Sequence, residues 1–350
     1  MHVDYLIIGQ GIAGTVLCEH LIKAGKSVIV IDESTLSNSS KVAGGLYNPI
    51  TGRKMVKTWN CDALFNYLTP FYRALEVKLG ERFLIEKPIY RPFMSTEELN
   101  EWMGKSAESI YQPYIGEIKD KPAYANHVKD QFGGIILKQC GYVDTATMVS
   151  AYRDYLKINH LYKSEAFDYA KLVLTDRGVE YEGIHAKKVI FCDGKFSQSN
   201  PFFDWLPLRP VKGELLFVKT KTKIEVIYNR GVFVIPLSNR ICKVGATYDH
   251  ENVNENITSK AENELRRRLK QLAVFDFEVI DQKAGVRPAT KDRKPFVGIH
   301  PKHSQVVVFN GLGAKGVSLA PFYANQLTNH LEFGDHLDSE VNIERFFSLF

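Results

Sequence analysis

Val3-Asp4-Tyr5-Leu6-Ile7-Ile8-Gly9-Gln10-Gly11-Ile12-Ala13-Gly14 opens the chain and decides its fold. Val3 to Ile8 is a short apolar run of the kind a buried strand needs. Gly9, Gly11 and Gly14 follow with G-x-G-x-x-G spacing. Beyond them Ala13, Val16, Leu17, Leu21 and Ala24 share one helical face, and Gly25 is placed to end the helix. A second apolar strand, residues 27–31, leads to Asp32, 18 residues after Gly14. Each part has a physical use. The first glycine permits a tight turn from strand to helix, the second lets a pyrophosphate approach the backbone, and the third lets the helix pack closely on the strand. The helix start offers free N–H groups and a partial positive charge to the phosphates. Asp32 is placed to accept hydrogen bonds from a ribose, which favours FAD or NAD over NADP. A lone glycine pattern is weak, but strand, glycines, helix, strand and acid in this order predict a dinucleotide-binding βαβ unit.

The other end of the chain repeats half of this pattern. Residues 305–309 read as a buried strand, and Asn310-Gly311-Leu312-Gly313-Ala314-Lys315-Gly316 again spaces its glycines as G-x-G-x-x-G. A helix is expected over 317–331. Only 34 residues follow Gly316, with no second strand and terminal acid, so one dinucleotide is expected rather than two. A helix start at this turn could instead face another part of the same cofactor. Reduced flavin carries negative charge along one ring edge, which a helix N-terminus stabilises. The alternative is a structural turn that closes the sheet.

Composition sets the frame. The 350 residues are 45% hydrophobic and 24% charged, an ordinary globular mix long enough for two domains. The net charge of +5 is too small to indicate a nucleic-acid binder by itself. No apolar run approaches the length of a membrane span. The first strand begins at Val3, which leaves no room ahead of it for a cleaved leader. Cys18, Cys61, Cys140, Cys192 and Cys242 are odd in number, widely spaced and without a CxxC pair. Buried reduced thiols in a cytoplasmic protein are the expectation.

Between the ends, residues 38–54 are rich in Ser, Gly and Asn and include Ala43-Gly44-Gly45-Leu46-Tyr47-Asn48. Such a stretch lets backbone come close to a flat ring; an ordinary surface loop is the alternative. Residues 62–79 read as a helix interrupted by Pro70. Ser95-Thr96-Glu97-Glu98 looks like a capping box, and Asp144 like the cap of a helix over 145–158. Strands are expected at 171–175, 178–183 and 187–192, the last ending in Cys192-Asp193-Gly194. Segments 214–219, 224–228, 231–236 and 241–247 read as a separate antiparallel sheet. Residues 259–273 read as a helix with Leu265, Leu269 and Leu272 inward. Its Arg266-Arg267-Arg268 fan around the axis, which suggests a solvated face rather than an RNA contact. His300 and His303 lack acid or cysteine partners nearby and read as a loop.

Four later stretches carry a resemblance. They are Leu208-Arg209-Pro210-Val211-Lys212-Gly213-Glu214, Phe233-Val234-Ile235-Pro236 leading to Val244-Gly245-Ala246-Thr247-Tyr248, the run from Ala284 to Gly298 with Arg287-Pro288, and the run from Asn310 to Pro321. With the N-terminal fingerprint they make nearly the whole chain resemble the D-amino-acid-oxidase-like family of FAD-dependent amine oxidoreductases. That family includes glycine oxidase, sarcosine oxidase and the oxidase domain of the bacterial enzyme that remodels carboxymethylaminomethyl-uridine in tRNA. The run Gly313-Ala314-Lys315-Gly316-Val317-Ser318-Leu319-Ala320-Pro321 looks most like the last of these.

The resemblance implies an α/β chain, α+β overall. A Rossmann-like FAD-binding domain would be built from 1–80, 135–207 and 284–350. A mainly antiparallel β substrate domain would be built from 81–134 and 208–283. It implies an extended FAD held at Gly9, Gly11, Ile12, Ala13, Gly14, Asp32 and Glu33. The ring would lie near Ser40, Ala43, Gly44, Gly45, Leu46 and Asn48, with further contacts at Cys192, Gly194, Arg287, Asn310, Gly311, Leu312, Gly313, Ala314, Lys315 and Gly316. Arg287 matches the family arginine that holds a substrate carboxylate, and a guanidinium fork suits that task as lysine does not. The alternative is an arginine that anchors a loop or the cofactor. Lys243 matches the lysine that sarcosine oxidase uses to help oxygen take electrons; a plain strand lysine is the alternative.

Three departures matter. Phe233 stands where several amino-acid oxidases have a tyrosine whose hydroxyl binds the carboxylate. No cysteine in 284–298 could tether the flavin as in sarcosine oxidase, so FAD is expected to be non-covalent. The tRNA enzyme carries its oxidase beside a methyltransferase domain, for which 350 residues leave no room.

The expected function is FAD-dependent oxidation of the C–N bond of a carboxylate-bearing amine, by hydride transfer to flavin, with oxygen or an unknown carrier as electron acceptor. One alternative is action on carboxymethylaminomethyl-uridine in tRNA. Another is a flavin-binding protein without amine turnover. Asp32→Ala is expected to weaken FAD retention, read as flavin lost on gel filtration; unchanged FAD affinity would remove the ribose assignment.

Overall fold

The opening apolar run forms the strand His2–Ile8 at the centre of an eight-stranded sheet. The computed structural model describes residues 1–33, 39–52 and 54–350. Val28–Ile31 and Ile184–Phe191 flank this strand, both parallel to it. Leu6, Ile7 and Ile8 are buried whichever way they point, because helices and loops cover both faces. That is why the run is continuously apolar instead of alternating. Ile184–Phe191 then divides its outer edge. Its first half pairs antiparallel with Gly178–Tyr181, and its second half pairs parallel with Val306–Asn310.

This pairing positions the site. His2–Ile8, Ile184–Phe191 and Val306–Asn310 are parallel neighbours, so their C-terminal ends lie side by side. Each end runs into one of the glycine-bearing turns, and the helices Ile12–Lys23 and Gly316–Phe333 pack against each other behind them. The carboxyl ends of parallel strands form the crevice where such sheets bind ligands.

The second eight-stranded sheet runs, edge to edge, through Phe277–Arg287, Val211–Thr220, Ile241–Gly245, Val232–Pro236, Ile227–Arg230, Ile89–Pro92, Gly134–Leu137 and Ile115–Lys119. Only the pairing of Ile227–Arg230 with Ile89–Pro92 is parallel. The sheet reaches Leu137 and Arg287, slightly beyond the segments 81–134 and 208–283 expected for it. Strand alternation gives it two different faces. Leu216, Val218, Val234 and Val244 pack with Leu265, Leu269 and Leu272 of the helix Ser259–Leu272. The opposite face carries Gly213, Leu215, Phe233, Gly245 and Arg287.

Local signals mostly behave as their chemistry dictates. Ser95 accepts a hydrogen bond from the Glu98 N–H at 3.3 Å, while the Glu98 carboxylate takes the Met94 N–H. Asp144 caps Thr145–Ile158. The helix Cys61–Leu79 passes through Pro70 without a break, contrary to the expected interruption. Its buried face of Leu64, Phe65, Leu68, Phe71, Tyr72 and Leu75 outweighs one missing backbone hydrogen bond. All five cysteines are buried thiols. Among the described residues no helix is long and apolar enough to cross a membrane, and no cluster suits a metal.

One charged pair is enclosed under the Ser259–Leu272 helix. Lys212 and Glu214 have side chains 1% and 3% exposed and lie 3.3 Å apart. Glu214 also accepts from the Thr258 N–H and hydroxyl, both at 2.8 Å, and from Gln282 at 2.7 Å. A buried lysine stripped of its carboxylate is costly. Glu214→Ala is therefore expected to lower stability by about 3 to 5 kcal/mol, measured as a shift of the urea unfolding midpoint.

Candidate active site

A cavity of about 1940 Å³ lies between the glycine turns and the open face of the second sheet. Ordinary small-ligand pockets hold roughly 300 to 1,000 Å³, so this one has room for a dinucleotide and a substrate together. Its walls bring together Ile12, Ser40, Ala43, Gly44, Gly45, Leu46, Asn48, Arg287, Leu312, Gly313, Ala314, Lys315 and Gly316. Those residues come from four distant parts of the sequence.

The first turn is built by close approach. A Cβ on Gly14 would overlap the Gly9 carbonyl oxygen, and one on Gly9, at φ +99°, would lie 2.5 Å from the Cys192 carbonyl oxygen. Gly9, Gly14, Ala13 and Cys192 thus form the packed base of the turn and do not line the cavity. Gly11 lies under the Ser40 hydroxyl, which accepts the Ile12 N–H at 2.9 Å. Gly11 has no side chain to cap the helix, and of the first helical turn Ile12 reaches the cavity wall, so the positive end of the helix lies at its edge. Asp32 stands behind this turn. Its carboxylate accepts the Gln10 N–H at 2.9 Å and the Tyr162 hydroxyl at 3.2 Å. Glu33 follows it; of the 38–54 stretch, residues 38 and 53 lie outside the described residues.

The second approach is at Gly44 and Gly45. A Cβ on Gly45, at φ +67°, would overlap the Val143 carbonyl, and one on Gly44 would lie 2.7 Å from the Phe233 ring. The Asn48 side chain is occupied with the Ile50 N–H at 3.0 Å.

The C-terminal turn is tied to the strand beside it. Asn310 donates to Asp193 Oδ1 at 2.9 Å, to the Gly194 carbonyl at 2.9 Å and to Ser197 Oγ at 2.8 Å, while its own Oδ1 accepts the Gly311 N–H. Asn310 therefore binds two turns together and does not face the cavity. Asp193 also accepts from Ser197, Asn200 and Tyr169. Burial pushes its carboxyl above the usual range, and these donors oppose the shift. The sequence shows Asp193 at a strand end but carries no sign of its burial. Gly316 meets Ile12, since a Cβ there would lie 3.1 Å from Ile12 Cγ2, so the two helix starts meet at one wall.

Arg287 projects from the last strand of the second sheet. Its guanidinium donates to the Thr247 carbonyl at 3.2 Å and lies 4.6 Å from the Tyr248 ring centre. Burial pulls its pKa down, and no acid among the described residues pairs with it. A largely enclosed cation in a cavity wall, with no acid beside it among the described residues, has the chemistry to bind an anion. Lys243, on the same sheet face, is buried but does not line the cavity. Its ammonium reaches the Ala43 carbonyl at 3.4 Å, and burial pulls its pKa down. It thus supports the Ala43–Gly45 segment from behind.

The cavity lining is rich in basic residues, a feature the composition hid. Among the described residues twelve lysines and arginines line it against one acid, Asp292, and four of them, Lys57, Arg230, Arg268 and Lys294, are ion-paired with acids outside the lining. Arg267 and Arg268 belong to this lining, whereas the helix fan favoured a solvated face over an RNA contact. Arg266 and Arg268 pair with Glu262 and Glu264 one turn earlier. Arg91, also in the wall, is pulled down to about 10 by burial and by Arg230 nearby. A net charge of +5 conceals this because acids are plentiful elsewhere.

The FAD dependent oxidoreductase family, DAO, matches residues 4–330. Glycine oxidase of Bacillus subtilis (strain 168) is 24% identical, over 91% of this chain and 90% of that protein. The tRNA 5-methylaminomethyl-2-thiouridine biosynthesis bifunctional protein MnmC of Legionella pneumophila (strain Philadelphia 1) is 22% identical over 84% of this chain, which spans only 45% of it. Among solved structures, glycine oxidase from Geobacillus kaustophilus superposes with a TM-score of 0.79 at 18% identity, covering 99% of this chain and 98% of that one. Iminodiacetate oxidase from Chelativorans sp. BNC1 gives 0.76 at 20% identity, covering 98% of each.

Gly213 offers a direct test of the arginine. A Cβ there would overlap the Arg287 guanidinium, the movable end of a long side chain. Gly213→Ala is expected to displace that group and weaken carboxylate binding about tenfold or more, while the visible spectrum of the bound flavin stays as in the wild type. Both are read in one titration.

Proposed function

The chain belongs to the DAO family of FAD-dependent oxidoreductases, and from that premise we propose that it oxidises the C–N bond of an amine bearing a carboxylate. The single observation that carries this reading is Arg287, a cation without an acid partner, facing a cavity large enough for cofactor and substrate. Glycine oxidase and iminodiacetate oxidase, among the relatives and neighbours, are named for substrates of this class.

FAD, when bound, supplies the hydride acceptor. The residues that would hold it are the first glycine turn with Ile12, the Ser40–Asn48 segment, and Leu312 to Gly316. Arg287 grips the substrate carboxylate through two parallel N–H groups and so fixes the neighbouring carbon against one wall of the cavity. Phe233 and Leu215 cover the sheet face beneath it and keep water from the reacting carbon. The amine enters neutral, so its nitrogen lone pair forms the C=N bond as hydride leaves, and no strong base is required of the protein. The helix start at Gly316 and the Lys315 ammonium place positive potential at the C-terminal turn, which would stabilise negative charge on a reduced cofactor held there. Lys243 holds Ala43 in place and adds a buried positive charge behind it. Water then hydrolyses the imine outside the reaction step. Oxygen or another carrier takes the electrons.

A second reading keeps this chemistry and places the amine on tRNA. The basic lining favours it: a small amino acid needs one cation, and even with Lys57, Arg230, Arg268 and Lys294 ion-paired, further lysines and arginines are left that would suit a phosphate backbone. The likeness to the Legionella protein is in line with it.

Anaerobic bleaching of the bound flavin tests both. The panel is glycine, sarcosine, larger N-substituted glycines, D-amino acids, and tRNA carrying carboxymethylaminomethyl-uridine. Bleaching by a small amine, with KM raised about 10- to 100-fold in Arg287→Lys and the flavin spectrum intact, is the expected result. Loss of flavin in that variant would make Arg287 a cofactor ligand. Bleaching by the tRNA alone, with binding that falls steeply as salt rises, would select the second reading.

A further inference from the structure

Tyr248 is 63% exposed, yet its backbone is among the most firmly held in its loop. Thr247 and Asp249, on either side of it, are both tied to the strand Val211–Thr220. The Thr247 N–H donates to the Glu214 carbonyl at 3.1 Å, and the Thr247 hydroxyl accepts the Glu214 N–H at 2.9 Å. Asp249 exchanges two backbone hydrogen bonds with Lys212, at 2.9 and 3.0 Å. Farther along, Asn254 accepts from the Lys212 ammonium at 3.2 Å and Thr258 is bound by Glu214. The buried Lys212–Glu214 pair thus anchors the loop from below.

Tyr248 therefore does not swing on a free loop. Its ring lies against Arg287 at 4.6 Å, and the Thr247 carbonyl accepts from the same guanidinium at 3.2 Å. Two sides of the guanidinium are fixed in this way, and Gly213 leaves room on another. Arg287 itself lines the cavity. Phe233, near by in the same cavity, has no hydroxyl to share that task.

We infer that Tyr248 is a positioning residue of the carboxylate site, its ring, carried on an anchored backbone, holding the Arg287 fork in its binding orientation where Phe233 cannot contribute. The inference rests on the proposal that Arg287 binds a substrate carboxylate. The ring face acts by attraction to the cation and by shielding it from water, so phenylalanine should replace tyrosine and an aliphatic side chain should not.

The test titrates the FAD-loaded enzyme with carboxylates that cannot be oxidised, from acetate to benzoate, and follows the flavin spectrum. Wild type, Tyr248→Phe, Tyr248→Leu, Tyr248→Ala and Arg287→Lys are compared. The expected result is affinity about 3- to 30-fold weaker in the Leu and Ala variants, within about twofold of wild type in the Phe variant, and unchanged FAD retention throughout. Wild-type affinity in Tyr248→Ala, with weak binding in Arg287→Lys, would overturn the role of Tyr248 and leave that of Arg287 standing. Equal weakening in Phe and Ala would also overturn it, by assigning the effect to the hydroxyl. Unchanged affinity in Arg287→Lys, or no response of the wild-type flavin to any carboxylate, would remove the carboxylate site itself and the inference with it.

Discussion

The structure depends on an approach that admits only hydrogen. Gly14 lies so close to the Gly9 carbonyl that no methyl group could stand between them, and Gly9 meets the Cys192 carbonyl just as closely. This contact sets the helix Ile12–Lys23 directly on the end of the first strand and beside the end of Ile184–Phe191. The helix start consequently lies at the crevice, where Ser40 takes its Ile12 N–H. The second glycine turn reaches the same crevice because Val306–Asn310 pairs parallel to Ile184–Phe191. Asn310 then fastens the two turns by spending its whole amide on Asp193, Gly194, Ser197 and Gly311. Two helix starts in contact, through Gly316 and Ile12, follow from those constraints.

The second sheet closes the crevice with charge. Placing Arg287 in an enclosed wall costs solvation, and the protein offers a carbonyl and an aromatic face but no carboxylate in return. An anion in the cavity would offset that cost, which is the ground for proposing Arg287 as a binding group. The Lys212–Glu214 pair, two strand positions apart on the opposite face of the same sheet, shows the other solution: there the lysine has its carboxylate, and the carboxylate has three further donors. One sheet thus carries a satisfied pair on its helix-covered side and an unsatisfied cation on its open side. The loop that bears Tyr248 joins the two.

Much of this was legible in the sequence. The βαβ fingerprint fixed the first turn because its glycines, helix face and terminal acid are local features that a parallel sheet requires. The helix at 259–273 and the strands around it followed from periodicity. Pro70 misled because a missing hydrogen bond is a local cost, while the buried face that offsets it is a property of the whole core. Asn310 stood among the glycines of the turn, but its role is to tie two turns together, and its partners lie more than 110 residues away.

The sequence by itself determined that a dinucleotide turn stands at the start, that a second glycine turn opens a helix at the end, and that an antiparallel sheet lies between. These depend on neighbours three to four positions apart, or on alternate residues, and so can be read from one chain. Only the tertiary structure decided that no acid among the described residues pairs with Arg287, that Lys243 reaches the Ala43 carbonyl, that Tyr248 lies against the guanidinium, and that lysines and arginines from distant segments line one cavity. Counter-ions, close approaches and cavity walls are made by residues far apart in sequence, and no local pattern records which charges meet and which are left alone.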